Sequence, residues 1–98
     1  IYGWDVGDND YNPIHPNANF SHGTHVGGCA SAQADNRIGI ASIGFNVSLM
    51  GVKCTENSQS NVNAIPFGYE GISYSARAGA HIINCSWSGS FGGQTGQQ

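Results

Sequence analysis

The sequence Ser21-His22-Gly23-Thr24-His25-Val26-Gly27-Gly28 opens a run of small and apolar residues that continues to Ala34 without a charged side chain. Serine is a favoured N-cap residue, so the run predicts a helix from His22 to about Ala34. Each of its three glycines costs about 1 kcal/mol relative to alanine in a helix interior. A helix that accepts this cost is expected to approach another backbone closely. We therefore predict a buried helix that begins with a histidine.

The two histidines of this run have a structural and a chemical interpretation. They can be partly buried and hydrogen-bonded, or His22 can act as a general base, which requires a neutral imidazole. A third possibility is a zinc module, because His22, His25 and Cys29 lie at positions i, i+3 and i+7 of one helical face. Zinc is the less favoured alternative, since the sequence offers no obvious fourth ligand and no His-Glu-x-x-His motif.

The composition is that of one small globular unit of 98 residues. Only 9% of the residues are charged and the net charge is −3, which argues against nucleic acid or an anionic membrane as a partner. No apolar run approaches the roughly 20 residues of a membrane-spanning helix. The chain begins at Ile1 without a methionine. We therefore expect it to be part of a longer protein, in which case the lack of a signal peptide says nothing about its compartment.

Hydrophobic spacing and turn residues predict the order strand, loop, helix, strand, helix, strand. This alternation predicts an α/β fold with a parallel sheet. Ligand sites of such sheets form where strand carboxyl ends meet helix N-termini, which is where His22 and Ser86-Trp87 are expected. The predicted strands are 1–6, 46–54 and 81–87, and the predicted helices are 22–34 and 66–79.

Three cysteines are present: Cys29, Cys54 and Cys85. An odd number cannot pair completely within one chain. All three lie in small or apolar sequence surroundings, where a free cysteine behaves as a small hydrophobic residue. We expect buried free thiols.

Three of the six acidic residues, Asp5, Asp8 and Asp10, fall within six positions and are followed by Asn12. Oxygen ligands at near-alternate positions of a turning loop suit Ca²⁺. The alternative is a solvated polar turn, which the same residue types favour.

The string His-Gly-Thr-His-Val-Gly-Gly closely resembles the histidine motif of the subtilisin-like serine peptidases, or subtilases. The resemblance extends from Gly3 to about Gly89, so residues 1–98 resemble part of a subtilase catalytic domain, with its three-layer α/β fold. It implies a serine endopeptidase that hydrolyses peptide bonds with a Ser-His-Asp triad in which His22 is the base. The family's Asp-(Ser/Thr)-Gly and Gly-Thr-Ser-(Met/Ala) motifs are absent from the 98 residues. We therefore predict that this chain alone has no peptidase activity.

Two loops resemble calcium-binding segments of subtilases. The acidic stretch resembles the Asp-x-x-Asp-x-Asp-x-Thr loop of thermitase-like members, which implies calcium ligands at Asp5, Asp8, Asp10 and, in place of Thr, Asn12. The segment Asp35-Asn36-Arg37-Ile38-Gly39-Ile40 resembles a second calcium loop, in which Asn36 would be the side-chain ligand. A simple loop with a turn-forming asparagine is the alternative there. Calcium is thus the implied structural cofactor.

The segment Asn84-Cys85-Ser86-Trp87-Ser88-Gly89 resembles the subtilase strand end that pairs with an extended substrate and forms one wall of the specificity pocket. The resemblance implies that Ser86, Trp87 and Ser88 bind a peptide or protein substrate through strand addition. The alternative is a strand end with a core tryptophan.

Subtilase resemblance also implies a secreted or extracytoplasmic protein. A different kind of function stays open, in which the chain is a non-catalytic fragment. Its strands would have bare edges, so that it would self-associate. A degenerate homologue that is inactive even at full length is the remaining alternative.

Overall fold

The computed structural model describes residues 2–39, 41–44 and 46–89. Its elements are β1 (Tyr2–Asp5), α1 (His22–Ser31), β2 (Met50–Lys53) and α2 (Gly68–Arg77). The two strands pair in parallel, so that Tyr2 lies opposite Met50 and Asp5 opposite Lys53. The predicted mixed α/β arrangement with parallel strands is therefore confirmed for the first four elements.

The two faces of this strand pair are covered by different parts of the chain. Gly3 and Gly51 are paired in the register and lie under the ring of Pro13, which a Cβ at Gly3 would approach to 2.9 Å at Cδ. Because side chains alternate along a strand, the neighbouring pair Trp4 and Val52 points to the opposite face. That face is covered by α2.

Helix α2 contacts the sheet through an aromatic stack and a close backbone approach. The Tyr74 ring stacks on Trp4 with centroids 5.5 Å apart and planes 15° apart. A Cβ at Gly71 would lie 3.5 Å from Cγ1 of Val52 and would overlap Sγ of Cys54. The predicted helix is confirmed, although it begins two residues after Pro66. It is followed by Gly79 at φ +92°, a left-handed conformation typical of a glycine after a helix.

Helix α1 begins at His22 as predicted but ends at Ser31 rather than near Ala34. Ser21 occupies the N-cap position without a side-chain capping bond. The prediction of a buried helix is wrong for this chain, since none of its residues is buried. A Cβ at Gly23 would meet nothing within 4 Å, and one at Gly27 would reach only Leu49. Neither Gly23 nor Gly27 therefore packs against another backbone among the described residues.

The predicted third strand, 81–87, is also wrong, because residues 81–89 contain no strand. The segment is apolar enough for a strand, but a strand forms only when a neighbour accepts its backbone hydrogen bonds. Ile82 is 88% exposed, and only Trp87 of this segment is half-buried.

The described residues include no buried hydrophobic side chain, whereas Asp5, Lys53, Thr55 and Ser75 are buried. All three cysteines are free, as expected, but Cys29 and Cys85 are exposed and only Cys54 is partly covered. The expectation of buried thiols therefore fails for two of the three. Among the described residues, no helix has the length and apolar character needed to cross a membrane.

Candidate functional site

His22 is the first residue of α1, and its side chain is exposed. The first turn is closed by the His25 backbone N–H, which donates to the Ser21 carbonyl at 3.2 Å. An exposed imidazole at a helix start is accessible to a substrate or to another catalytic group. This placement is compatible with general-base chemistry.

The zinc alternative is not supported by the geometry of α1. His25 Nδ1 and Cys29 Sγ are 3.9 Å apart, as one turn of helix requires. Within the described part of the chain, however, no three histidine, cysteine, aspartate or glutamate side chains converge as a metal site demands. His22 therefore does not complete a site with this pair.

The acidic turn, residues 5–10, is closed by its own backbone. Asp5 and Asp10 form an antiparallel bridge, in which the Asp5 N–H donates to the Asp10 carbonyl at 2.8 Å and the reverse bond is 3.2 Å. Oδ1 of Asp5 accepts the N–H groups of Gly7 at 2.9 Å and Asp8 at 3.1 Å. Asn9 takes a left-handed conformation at φ 59°. The first carboxylate is thus engaged inside the turn.

Lys53 supplies the positive charge of this turn. Its Nζ donates to Oδ2 of Asp5 at 2.6 Å and to Oδ2 of Asp8 at 3.2 Å, and it donates a further bond to the Thr55 carbonyl. The side chain of Asp5 is fully buried and that of Lys53 is 5% exposed. The turn therefore already holds a cation between two of the predicted calcium ligands.

Asp8 is also tied to the segment after β2. Its Oδ2 accepts the backbone N–H of Asn57 at 2.6 Å. This bond, helped by the Lys53 ammonium, lowers the pKa of the Asp8 carboxyl below its ordinary value of 3.8. The carboxylate form of Asp8 is therefore favoured.

The side-chain oxygens of Asp5, Asp8, Asp10 and Asn12 do not fit the calcium ion that the family resemblance implies at this turn. Calcium takes six to eight oxygens, but both oxygens of Asp5 and one of Asp8 already accept bonds. Oδ1 of Asp10 accepts the Asn12 N–H at 2.8 Å, and Oδ1 of Asn12 accepts the Ile14 N–H at 3.2 Å. Asp5 and Asp8 are thus brought together by Lys53, whereas Asp10 and Asn12 bond within their own loop.

Asn36 lies in a loop with an unusual backbone. Its Oδ1 accepts the Ile38 N–H at 3.1 Å, and Asp35, Arg37 and Gly39 all have positive φ, between 57° and 68°. This geometry is that of a turn-forming asparagine, because the side-chain oxygen expected to bind calcium accepts the N–H of Ile38, two residues further along the chain. Ile40, the last residue of this segment, lies outside the described residues.

Trp87 and Ser88 lie in a shallow groove beside the start of α2, with a volume of about 190 Å³. A Cβ at Gly68 would lie 3.3 Å from Cζ2 of Trp87, so the lack of a side chain at Gly68 allows the indole to pack against the start of α2. Ser86 lies outside the groove, and its Oγ accepts a bond from Asn84 Nδ2 at 2.8 Å. The groove is lined by residues of two segments: Asn63, Ile65, Pro66, Gly68, Tyr69, Trp87, Ser88 and Gly89. His22 is not part of this lining.

Sequence reasoning missed Lys53. One signal was available, because Lys53 is one of only three basic residues and ends an otherwise apolar strand. A charged residue in such a strand needs a partner, and the acidic turn offers the largest group of carboxylates.

The exposed histidine at the start of a glycine-rich helix, carried by an α/β chain, agrees with the class of protein that the histidine motif indicates. The profile of the subtilase family matches residues 2–97, and the chain belongs to that family of serine peptidases.

Several curated relatives support this assignment. Thermitase of Thermoactinomyces vulgaris is 38% identical over 99 residues, covering 100% of this chain and 33% of thermitase. The thermophilic serine proteinase of Bacillus sp. strain AK1 is 38% identical over 88% of the chain and 20% of that protein. The halolysin-like extracellular serine protease Nep of Natrialba magadii is 36% identical over 87% of the chain and 15% of Nep. The chain thus spans about a third or less of these relatives. No solved structure gives a significant match.

Proposed function

We propose that this chain is the part of a serine endopeptidase catalytic domain that supplies the general base, His22. The observation that carries the proposal is the exposed imidazole at the first residue of α1, within a chain of the subtilase family. Members of this family cleave peptide bonds, so the substrate is a peptide or protein.

In the proposed reaction, His22 takes the proton from the attacking serine hydroxyl and then donates it to the leaving amine. An aspartate orients the ring and stabilises its charged form. The family motifs for that serine and that aspartate do not occur in the 98 residues, so both groups come from other parts of the intact protein. The acidic turn does not replace the aspartate, because the carboxylates of Asp5 and Asp8 are bonded to Lys53.

Ser86, Trp87 and Ser88 bind the substrate in this proposal. Residues 81–89 are not paired in a sheet, and an extended peptide could add to their backbone as a strand. The groove that Trp87 forms with the start of α2 suits an apolar substrate side chain. Ser88 lines the same groove.

The assay compares the 98-residue chain with the intact protein, using a fluorogenic peptide. We expect no hydrolysis by the chain. In the intact protein, His22→Ala is expected to lower kcat by about 10⁴- to 10⁶-fold with little change in KM. His81→Ala removes another exposed histidine and is the matched control. Hydrolysis by the pure chain, or full activity of His22→Ala, would refute the proposal.

Self-association of the chain is a second candidate, and the exposed apolar surface favours it. Ile43 is 95% exposed, Ile82 88% and Tyr11 80%, with no buried hydrophobic residue in the described part. A monomer leaves these side chains and the open strand edges in water. Light scattering of the purified chain is expected to show a dimer or larger assembly. A monodisperse monomer that melts cooperatively would contradict this.

The same assays distinguish a degenerate homologue. An intact protein that hydrolyses no peptide and is not labelled by a fluorophosphonate serine probe would be such a homologue.

Export from the cell is part of the proposal, by analogy with the relative named as extracellular. Recovery of the intact protein from the medium rather than the cells tests it.

A further inference from the structure

We propose that the ammonium group of Lys53 is the structural cation of the acidic turn, in place of a calcium ion. This inference is independent of the proposed peptidase activity, since it concerns what holds residues 5–10 against residues 53–57. The family resemblance implies calcium at these aspartates. The geometry points to a cation that is built into the chain.

The first support is that every donor of the ammonium is used. A lysine ammonium has three N–H groups, and the Nζ of Lys53 has three partners, which are Asp5, Asp8 and the Thr55 carbonyl. The three acceptors come from both sides of the interface between the turn and the segment after β2. One buried charge therefore joins the two segments.

The second support is the register of the sheet. Asp5 and Lys53 are the last paired residues of β1 and β2, and the Val6 N–H continues the ladder to the Lys53 carbonyl at 2.9 Å. Lys53 is thus held beside Asp5 by the backbone as well as by its side chain. The backbone ladder therefore places Lys53 next to Asp5 even before the side-chain ion pair forms.

The third support is the lack of space for a larger ion shell. Gly7 lies so close to the Thr55 carbonyl that a Cβ there would overlap it and would lie 2.8 Å from the Glu56 nitrogen. Asp5 has no exposed surface. A calcium ion bound to Asp5 and Asp8 would have to displace the Lys53 ammonium and separate these segments.

The test measures unfolding midpoints by circular dichroism, with excess chelator and with excess calcium chloride. We expect the wild-type chain to give the same midpoint in both solutions. Lys53→Met is expected to lower the midpoint in chelator, because Asp5 then remains buried without a counter-charge. Calcium is expected to restore part of the loss. Arg77→Met, which removes an exposed cation at the end of α2, is the matched control.

Calcium affinity gives a second measurement by titration calorimetry. Loss of the ammonium is expected to raise the affinity of the chain for calcium by at least roughly tenfold, which is about 1.4 kcal/mol. The double variant Asp5→Asn with Lys53→Met is expected to recover stability in chelator and to lose the calcium response.

A wild-type midpoint that falls in chelator and is restored by calcium would overturn the proposal, whether or not Lys53→Met folds. An equal calcium affinity of the wild type and Lys53→Met would overturn it as well.

Discussion

Nζ of Lys53 lies 2.6 Å from Oδ2 of Asp5, and the two residues face each other as the last register pair of β1 and β2. They are 48 positions apart in the sequence. A buried charge is costly unless it is paired, and shifting the register of one strand would separate this pair. The ion pair therefore specifies how the two strands align.

Removal of the Asp5 carboxylate is predicted to destabilise the chain. Asp5→Ala leaves the ammonium of Lys53 buried with one fewer partner, and breaking a buried pair in this way costs about 3–5 kcal/mol. Urea unfolding followed by circular dichroism measures the change. Asp10→Asn is the control, expected within about 0.5 kcal/mol of wild type, because the Asp10 side chain bonds only its own exposed loop. Equal losses for the two variants would contradict the prediction.

Gly7→Ala is predicted to destabilise the same region for a steric reason. The added Cβ would overlap the Thr55 carbonyl and lie 2.8 Å from the Glu56 nitrogen. These are backbone atoms, which move only with the segment that Lys53 and Asp8 hold. We expect a loss of about 1–3 kcal/mol in the free energy of unfolding.

The matched control is Gly23→Ala, where a Cβ meets nothing within 4 Å. That variant is expected to gain up to about 1 kcal/mol from helix propensity. Thermal unfolding of both variants measures the stability loss expected for Gly7→Ala and the gain expected for Gly23→Ala. A stabilised Gly7→Ala variant would show that the close approach of the two segments does not persist in solution.

The three thiols are predicted to react in a defined order. Burial raises the pKa of the Cys54 thiol to about 11. At pH 8 only about a thousandth of Cys54 would then be the reactive thiolate. Iodoacetamide labelling followed by peptide mass spectrometry is expected to modify the exposed Cys29 and Cys85 first. In concentrated urea the three cysteines should be modified at similar rates. Early modification of Cys54 in the folded chain would contradict the prediction.

The same raised pKa predicts how stability depends on alkaline pH. Well below pH 9 the Cys54 thiol is neutral in both the folded and the unfolded chain, so it adds no pH dependence there. Between its ordinary value of 9.0 and about 11 the unfolded chain ionises first, and the free energy of unfolding falls. Cys54→Ala is expected to lose this part of the slope, which unfolding in urea at several pH values measures.

Local sequence patterns predicted the elements whose determinants are local. The helix α2 follows from its helical periodicity, and α1 begins at His22 as predicted, although Ser21 makes no side-chain capping bond. The first two strands were predicted in the right places but are shorter than expected, since β1 covers only part of 1–6 and β2 only part of 46–54. The predicted end of α1 and the strand at 81–87 were wrong. A strand needs a neighbour, and residues 81–87 pair with neither β1 nor β2.

The candidate site was predictable only where a motif is continuous in sequence. His22 became a candidate because its neighbours form one continuous motif, whereas the pairing of Lys53 with Asp5 joins residues that only the fold brings together. The glycines of α1 indicated close packing, but a Cβ at Gly23 or Gly27 would meet no other backbone among the described residues. Local sequence patterns do not show which distant residues contact each other in the fold.

The groove at Trp87 leads to a prediction about substrate preference in the intact protein. The indole lies against Gly68 at the start of α2 and lines the groove together with Ser88 and Ile65. Trp87→Ala removes the indole from this lining. We expect kcat/KM for peptides with a large apolar side chain at that subsite to fall by roughly tenfold or more, with little change for peptides that carry glycine there. Val62→Ala, at a half-exposed residue outside the groove, should leave both peptides unchanged. An equal loss for both peptides with Trp87→Ala would mean that the tryptophan supports the fold rather than the subsite.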